Sequence, residues 1–143
     1  MPAAITVNLK AFKEALQATT DELHRATRPA AQAGAQIIYD RARQHAPVSK
    51  RAHMFNIEGR IYGPFSPGNL RDSIYQVFSK SKSFKDVSTY EISWNKDKAP
   101  YGFVVERGTS KLAANSFIAR SVVETRAEVR EAMKARYIEE VKK

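Results

Sequence analysis

The sequence predicts an α+β fold in which a small antiparallel sheet packs against helices from both ends of the chain. Residues 9–46 and 115–141 repeat apolar residues at the spacing of amphipathic helices. Between them, residues 70–106 hold shorter segments in which apolar and polar residues alternate, which is typical of strands. Because these segments follow one another directly, we expect a sheet of three or four strands with the helices on one face. A chain of 143 residues is expected to form one domain, 1–143.

The N-terminal helical pattern contains a proline. We expect a short strand over residues 4–8, followed by Asn8 at the N-cap position of a helix. The apolar face then continues in phase on both sides of Pro29, although proline inside a helix removes a backbone hydrogen bond. We therefore expect a pair of helices in one line, kinked near Pro29 and ending before Pro47. The C-terminal pattern, 115–141, predicts one helix about 40 Å long.

The segment 48–67 is rich in proline and glycine, which predicts an inserted loop or hairpin. Two short apolar-bearing arms flank Glu58-Gly59, which predicts a small hairpin. The arms carry three aromatic residues, which are Phe55, Tyr62 and Phe65.

The strands of the sheet are expected after this insertion. Leu70–Ser79 and Val87–Asn95 have strand patterns, and Lys80–Asp86 would be the turn that joins them. Tyr101–Glu106 is the third expected strand. Its core-facing residues would be Tyr101 and Phe103.

The composition excludes several kinds of site. The chain has no cysteine, so disulfides, thiolate nucleophiles and cysteine-bound zinc are ruled out. No apolar run is long enough to span a membrane, and the start lacks the basic and apolar regions of a secretory signal. We therefore expect a protein of the cytoplasm with no membrane partner.

No constellation of catalytic or metal-binding residues is visible. The three histidines, His24, His45 and His53, have no second ligand at metal-binding spacing. The sequence also lacks a glycine-rich phosphate loop and the Gly-x-Ser-x-Gly turn of a serine nucleophile. We expect no enzyme activity, no catalytic residue, no metal and no cofactor.

The chain is basic, with 24 Lys and Arg against 15 Asp and Glu and a net charge of +9. The excess is spread along the chain, and its densest cluster is Lys80, Lys82 and Lys85 in the predicted turn. A positive surface attracts nucleic-acid phosphates without sequence preference. The cluster is therefore either a DNA contact or an ordinary solvated turn.

Four fragments carry a family resemblance through their order and spacing. They are Ala42-Arg43-Gln44-His45-Ala46-Pro47, Gly68-Asn69-Leu70-Arg71-Asp72-Ser73-Ile74, Ala99-Pro100-Tyr101-Gly102-Phe103-Val104-Val105-Glu106-Arg107-Gly108-Thr109 and Ala114-Asn115-Ser116-Phe117-Ile118. The series resembles the gene-product-ten-like family of long-tailed bacteriophages, the tail-completion or neck (head–tail joining) proteins. The resemblance covers about residues 30–130. The chain departs from the family pattern by the insertion 48–67 and by Ser116, where proline is usual.

The resemblance implies a structural protein of the virion. Such proteins form a ring that joins or completes the head–tail interface around the DNA channel. Six subunits are expected from tail symmetry, with twelve as the alternative. Implied partners are head-closure or connector proteins, tail-terminator or tail-tube proteins, and genomic DNA in the channel. The protein would reside at the neck or tail end of the virion, after assembly in the host cytoplasm.

Residue roles follow from this interpretation. Lys80, Lys82 and Lys85 would face the lumen and the DNA. The insertion would be a contact arm through Phe55, Tyr62 and Phe65. Arg71, Glu106, Arg107 and Thr109 are expected at a subunit or partner interface, or in a local network that stabilises the turn at Gly108. Two other classes stay open, a free-standing basic DNA-binding protein and a small nuclease or toxin.

Overall fold

The computed structural model describes residues 9–84 and 86–143, which form helices and strands in an α+β order. The helices are α1 (Leu9–His45), α2 (Asn69–Ser73), α3 (Gly102–Arg107), α4 (Phe117–Glu124) and α5 (Arg126–Val141). The strands are β1 (His53–Ile57), β2 (Arg60–Phe65), β3 (Ile74–Phe78) and β4 (Tyr90–Trp94), and a 3₁₀ turn spans Lys80–Lys82. The strand expected over 4–8 and the N-cap expected at Asn8 lie outside the described residues.

The N-terminal helix is one continuous element rather than the expected kinked pair. α1 passes through Pro29 and ends at His45, before Pro47 as predicted. Ala26 and Ala30, on either side of the proline, are both buried. They lie where α1 packs lengthwise against α5. This packing offsets the cost of the backbone hydrogen bond that Pro29 cannot form. It depends on α5, a helix more than ninety positions later in the chain.

The C-terminal helical pattern is confirmed, but Thr125 divides it into α4 and α5. Thr125 is fully buried, and its hydroxyl donates to the backbone carbonyl of Ser121 at 2.6 Å. The hydroxyl of Ser121 donates in the same way to the carbonyl of Phe117. Hydroxyl groups that bond back to the preceding turn bend helices. The break therefore has a local cause in these two side chains.

The strands form two separate antiparallel hairpins, not the expected sheet of three or four strands. β1 and β2 form the predicted hairpin about Glu58-Gly59, whose φ angles of 52° and 80° suit a tight hairpin turn. β3 pairs with β4 in a regular register from Ile74–Trp94 to Phe78–Tyr90. β3 is shorter than the predicted strand because residues 69–73 form α2 instead.

The third expected strand, Tyr101–Glu106, is a helix. α3 buries Tyr101, Gly102 and Val105, a spacing that belongs to one helical face. Phe103 is 45% exposed, so the expectation that it shares a core-facing side with Tyr101 is wrong. The segment is rich in residues that favour strands, and its tertiary contacts outweigh this preference.

The core lies where the C-terminal end of α1 meets α2, β3, α3 and α4. Its fully or nearly buried members come from four separate segments of the chain. They are Ala42, Ala46, Leu70, Ile74, Ala99, Tyr101, Val105 and Phe117. Along the rest of α1, small residues allow a close approach to α5. A Cβ atom on Gly34 would lie 2.8 Å from the side chain of Met133.

Candidate functional site

Tyr101 lies where the four sequence fragments meet. Its side chain is 3% exposed and belongs to one core with Ala46, Leu70 and Phe117, each from a different fragment. Asn69 donates from Nδ2 to the Tyr101 hydroxyl at 3.2 Å. The fragments are therefore close in space because together they build the centre of the fold.

Aromatic rings hold the β1–β2 hairpin against this centre. Phe55 stacks on Tyr101, with ring centroids 4.4 Å apart and planes inclined by 5°. Phe65 packs against the same ring at 4.6 Å, and His53 meets it edge-on at 5.4 Å. Tyr62, the cross-strand partner of Phe55, is half-buried. Phe55 and Phe65 thus pack within their own chain, and the contact-arm role of the three aromatic residues stays a prediction.

The hairpin leaves other apolar side chains exposed. Met54 and Ile61 are exposed on it. Between the hairpin and α3 opens a cavity of about 350 Å³, lined mainly by apolar and aromatic side chains that include Val48, Phe55 and Leu112. Such a lining suits an apolar side chain of a partner better than a charged ligand.

Arg71 belongs to an exposed charged cluster. Its Nε lies 3.0 Å from Oδ1 of Asp72, and Arg43 reaches the same carboxylate oxygen at 3.4 Å. The hydrogen bond from Arg71 is the main reason that the pKa of Asp72 is lowered, and it also raises the pKa of Arg71. The guanidinium of Arg43 lies 5.6 Å from the ring centroid of Tyr39. Exposed ion pairs of this kind add little stability, so the cluster is best regarded as a charged surface.

Glu106 holds the start of α4. Its carboxylate accepts hydrogen bonds from the backbone N–H groups of Ile118 and Ala119, both at 3.0 Å. A carboxylate in this position satisfies unpaired backbone donors and interacts favourably with the helix dipole. The hydroxyl of Ser116 donates to the carbonyl of Glu106 at 3.1 Å, an interaction that a proline could not make. The side chain of Glu106 is therefore bound to α4, and not to Arg71 or Arg107.

Thr109 stabilises the loop that follows α3. Its Oγ1 accepts hydrogen bonds from the backbone N–H groups of Lys111 and Leu112, at 3.2 and 3.0 Å. Gly108, with φ of 75°, provides the backbone geometry between α3 and this loop. Arg107 is exposed at the end of α3. Glu106 and Thr109 thus act in a local network, which was the alternative to an interface role, and an interface role stays a prediction for all four residues.

The structure describes two of the three lysines expected to face DNA. Lys80 is exposed in the 3₁₀ turn, and Lys82 lies with Nζ 2.5 Å from Oε1 of Glu91. This hydrogen bond raises the pKa of Lys82. Lys85 lies outside the described residues. Because Glu91 neutralises part of the charge, the local positive excess is smaller than the lysine spacing suggests.

A second basic row lies on α5 and was missed in the sequence. Arg126, Arg130 and Lys134 are four residues apart and all exposed. Among the ion pairs of residues 9–84 and 86–143, none joins these three side chains to a carboxylate. Their helical spacing was visible in the sequence, but the glutamates between them concealed the row.

Glu124 links the end of α1 to α4. His45 Nε2 lies 2.5 Å from its Oε2, and Arg41 Nη1 lies 3.2 Å from the same atom. These hydrogen bonds, the one with His45 first, lower the pKa of Glu124. In the sequence His45 has no visible partner, because Glu124 lies 79 residues further along the chain.

The described residues form neither a metal site nor a membrane span. In the described part of the chain, no group of three or more histidines and carboxylates is placed to hold a metal ion. No described helix is both long and apolar enough to cross a membrane.

A family model described as "Bacteriophage HK97-gp10, putative tail-component" matches residues 10–140. The chain belongs to this family. The match confirms the resemblance that four short fragments predicted, and it covers nearly all of the elements described above. Tail components are structural parts of the virion, so a phage virion is where this family places the protein. No curated protein and no solved structure matches the chain.

Proposed function

We propose that the protein is a subunit of a ring that joins or completes the head–tail interface of a long-tailed phage, around the DNA channel. The observation that carries this proposal is the match to a phage tail-component family over residues 10–140. The protein would act through geometry and would need no catalytic residue or cofactor.

The distribution of exposed apolar side chains supports an assembled state. Large apolar residues are exposed on α1, the first hairpin, α3 and α4. Examples from these four elements are Leu16, Ile61, Phe103 and Val123. A subunit in a ring needs two different surfaces for its neighbours, and further surfaces for the parts above and below. Several separate apolar surfaces are what such a position requires.

In the proposed ring, each subunit packs head-to-tail against the next, and the rotation closes after six subunits, with twelve as the alternative. The open edge of the β1–β2 hairpin is available for strand addition by a neighbour or partner. Basic side chains in the lumen would contact the phosphates of passing DNA without sequence preference. The partners would be head-closure or connector proteins on one side and tail-terminator or tail-tube proteins on the other.

The first test is the mass of the purified protein by light scattering, at physiological and at high salt, followed by negative-stain imaging. We expect closed rings whose mass is an integral multiple of 16.1 kDa. A protein that stays monomeric, both alone and when mixed with isolated phage heads or tails, would contradict the proposal.

The net charge of +9 favours one rival, a free-standing basic DNA-binding protein. This protein would bind DNA as a monomer or dimer, and its affinity would fall steeply with salt. Rings that form in the absence of DNA would support the proposed ring and contradict a free-standing DNA-binding protein.

A further inference from the structure

The N-terminal part of α1 extends beyond the body of the subunit. The C-terminal end of α5 lies beside Arg25 and Ala26, where Glu140 and Lys143 line a cleft with them. Residues 9–24, here called the projecting segment, continue past this point. At a rise of about 1.5 Å per residue, the projecting segment is about 24 Å long.

One face of the projecting segment is apolar and exposed. Leu9, Phe12 and Leu16 are 62%, 63% and 56% exposed, and Leu23 follows on the same face. Further along this face, Ala26 and Ala30 are 1% and 5% exposed because α5 covers them. The exposed stripe is therefore the continuation of a packed helix–helix seam, without its second helix. A row of large exposed apolar side chains marks a protein interaction surface.

The body of the subunit has a groove that suits such a stripe. Its floor is α1 over residues 27–38, and its walls are residues 86–92 on one side and α5 on the other. Two adjoining cavities of about 420 and 250 Å³ form the groove, and both are lined by Ala31, Ser88 and Met133. The small residues of the floor leave room for apolar side chains from above.

The projecting segment of a subunit cannot reach the groove of the same subunit. The floor of the groove and the projecting segment are parts of one continuous helix, and the segment continues along the axis away from the floor. Any copy of the segment that occupies the groove must therefore belong to another chain.

The charges of the two surfaces are complementary. In a chain of net charge +9, the projecting segment carries two lysines against three carboxylates, which gives it a net charge of −1. Its carboxylates belong to Glu14, Asp21 and Glu22. The α5 wall of the groove carries Lys134, with Arg130 one turn before it, and neither forms an ion pair with a carboxylate among the described residues. The opposite wall carries one carboxylate, Asp86, so the cations are in excess.

We propose that the projecting segment of one copy docks in the groove of a second copy and forms the contact between neighbouring subunits. The inference rests on the proposed ring, because it names the surfaces by which that ring closes. The contact joins two different surfaces, so it is heterologous and can repeat from subunit to subunit. The C-terminal end of α1 would then pack in the core of its own subunit, and the N-terminal end would bind the neighbouring subunit.

Cysteine cross-linking tests the contact, since the natural chain has no cysteine. Leu16→Cys on the stripe and Val87→Cys on the groove wall are made in separate chains, which are then mixed and oxidised. We expect a disulfide-linked heterodimer. Ala18→Cys, on the opposite face of the projecting segment, is the matched control and should give little disulfide-linked heterodimer with Val87→Cys. Cross-linking of Leu16→Cys only to itself would mean that two projecting segments pair with each other, and would overturn the inference.

A charge exchange in the full chain provides a second measurement. Arg130→Glu with Lys134→Glu should weaken self-association by at least about tenfold, because like charges would then face each other. Adding Asp21→Lys and Glu22→Lys should restore it. If all these variants associate as the natural chain does, the groove is not the docking site.

The outcomes separate this inference from the proposed function. Rings that form without the Leu16–Val87 cross-link would overturn the inference and leave the proposed ring standing. If the cross-link forms but the subunits assemble into open filaments that never close, the contact would be supported and the ring contradicted. A chain that neither associates nor cross-links would contradict both.

Discussion

At the scale of single residues, Gly102 controls how the centre of the fold is packed. A Cβ atom at this position would lie 2.2 Å from Nε1 of Trp94, closer than any ordinary contact. Glycine therefore allows the indole of β4 to lie directly on the backbone of α3. Gly34 has a different environment, because its added Cβ would meet the flexible end of Met133 at 2.8 Å.

We expect Gly102→Ala to destabilise the protein by about 1–3 kcal/mol, because overpacking against a rigid ring outweighs the better helix propensity of alanine. The measurement is the free energy of unfolding in urea. Gly34→Ala is the comparison variant, and it should cost less because Met133, the side chain nearest to the added Cβ, can adopt another rotamer. Equal stability of the two variants would show that the indole is not held against the glycine as described.

At the scale of elements, the charged link between α1 and α4 makes stability depend on pH. The pKa of Glu124 in the folded protein is lowered from its ordinary value of 4.5, first by the hydrogen bond with His45. A lowered carboxyl pKa adds stability that is fully present above the unfolded-state pKa. This stability is lost as the pH falls through the folded-state pKa.

Glu124→Gln should therefore reduce stability at neutral pH and flatten its decline below about pH 4.5. Thermal unfolding between about pH 3 and about pH 7 measures both effects. Glu131→Gln on α5 is the control for the loss of one exposed carboxylate. If both variants show the same pH profile as the natural chain, the link between α1 and α4 does not stabilise the fold.

The elements also show how far local sequence signals reach. The end of α1 before Pro47 and the hairpin at Glu58-Gly59 were predictable because each depends on a few adjacent residues. The helix over Gly102–Arg107 and the separation of the two hairpins were not, because both depend on contacts distant in the chain. The four fragments identified the family correctly, but the place of Tyr101 at their meeting point appears only in three dimensions.

At the scale of the whole molecule, two basic surfaces compete for the role of the DNA contact. The expected cluster is Lys80, Lys82 and Lys85, in which Lys82 is already bound to Glu91. The row on α5 holds three cations without such partners in the described structure, but two of them, Arg130 and Lys134, belong to the proposed docking groove. The lysine cluster therefore stays the predicted DNA contact.

Replacing the three lysines by alanine should lower the slope of log affinity for duplex DNA against log salt by about 2, because each phosphate contact contributes about 0.9 and Lys82 is partly neutralised. The measurement is a DNA-binding titration at several salt concentrations. The control replaces Lys96, Lys98 and Lys111 by alanine, which removes the same charge from exposed lysines outside the docking groove. If only the control changes the slope, the assignment of the three lysines is wrong.

The position of Pro29 allows the N-terminal part of α1 to bend relative to the rest of the helix. Proline has no N–H to donate to the carbonyl of Arg25, and Arg25 lies where the support from α5 ends. A bend of about 20° at this point, common at prolines, would swing the tip of an arm of about 24 Å through about 8 Å. Such a sweep leaves the core undisturbed. In the proposed ring, one subunit could then hold its neighbour across slightly different spacings.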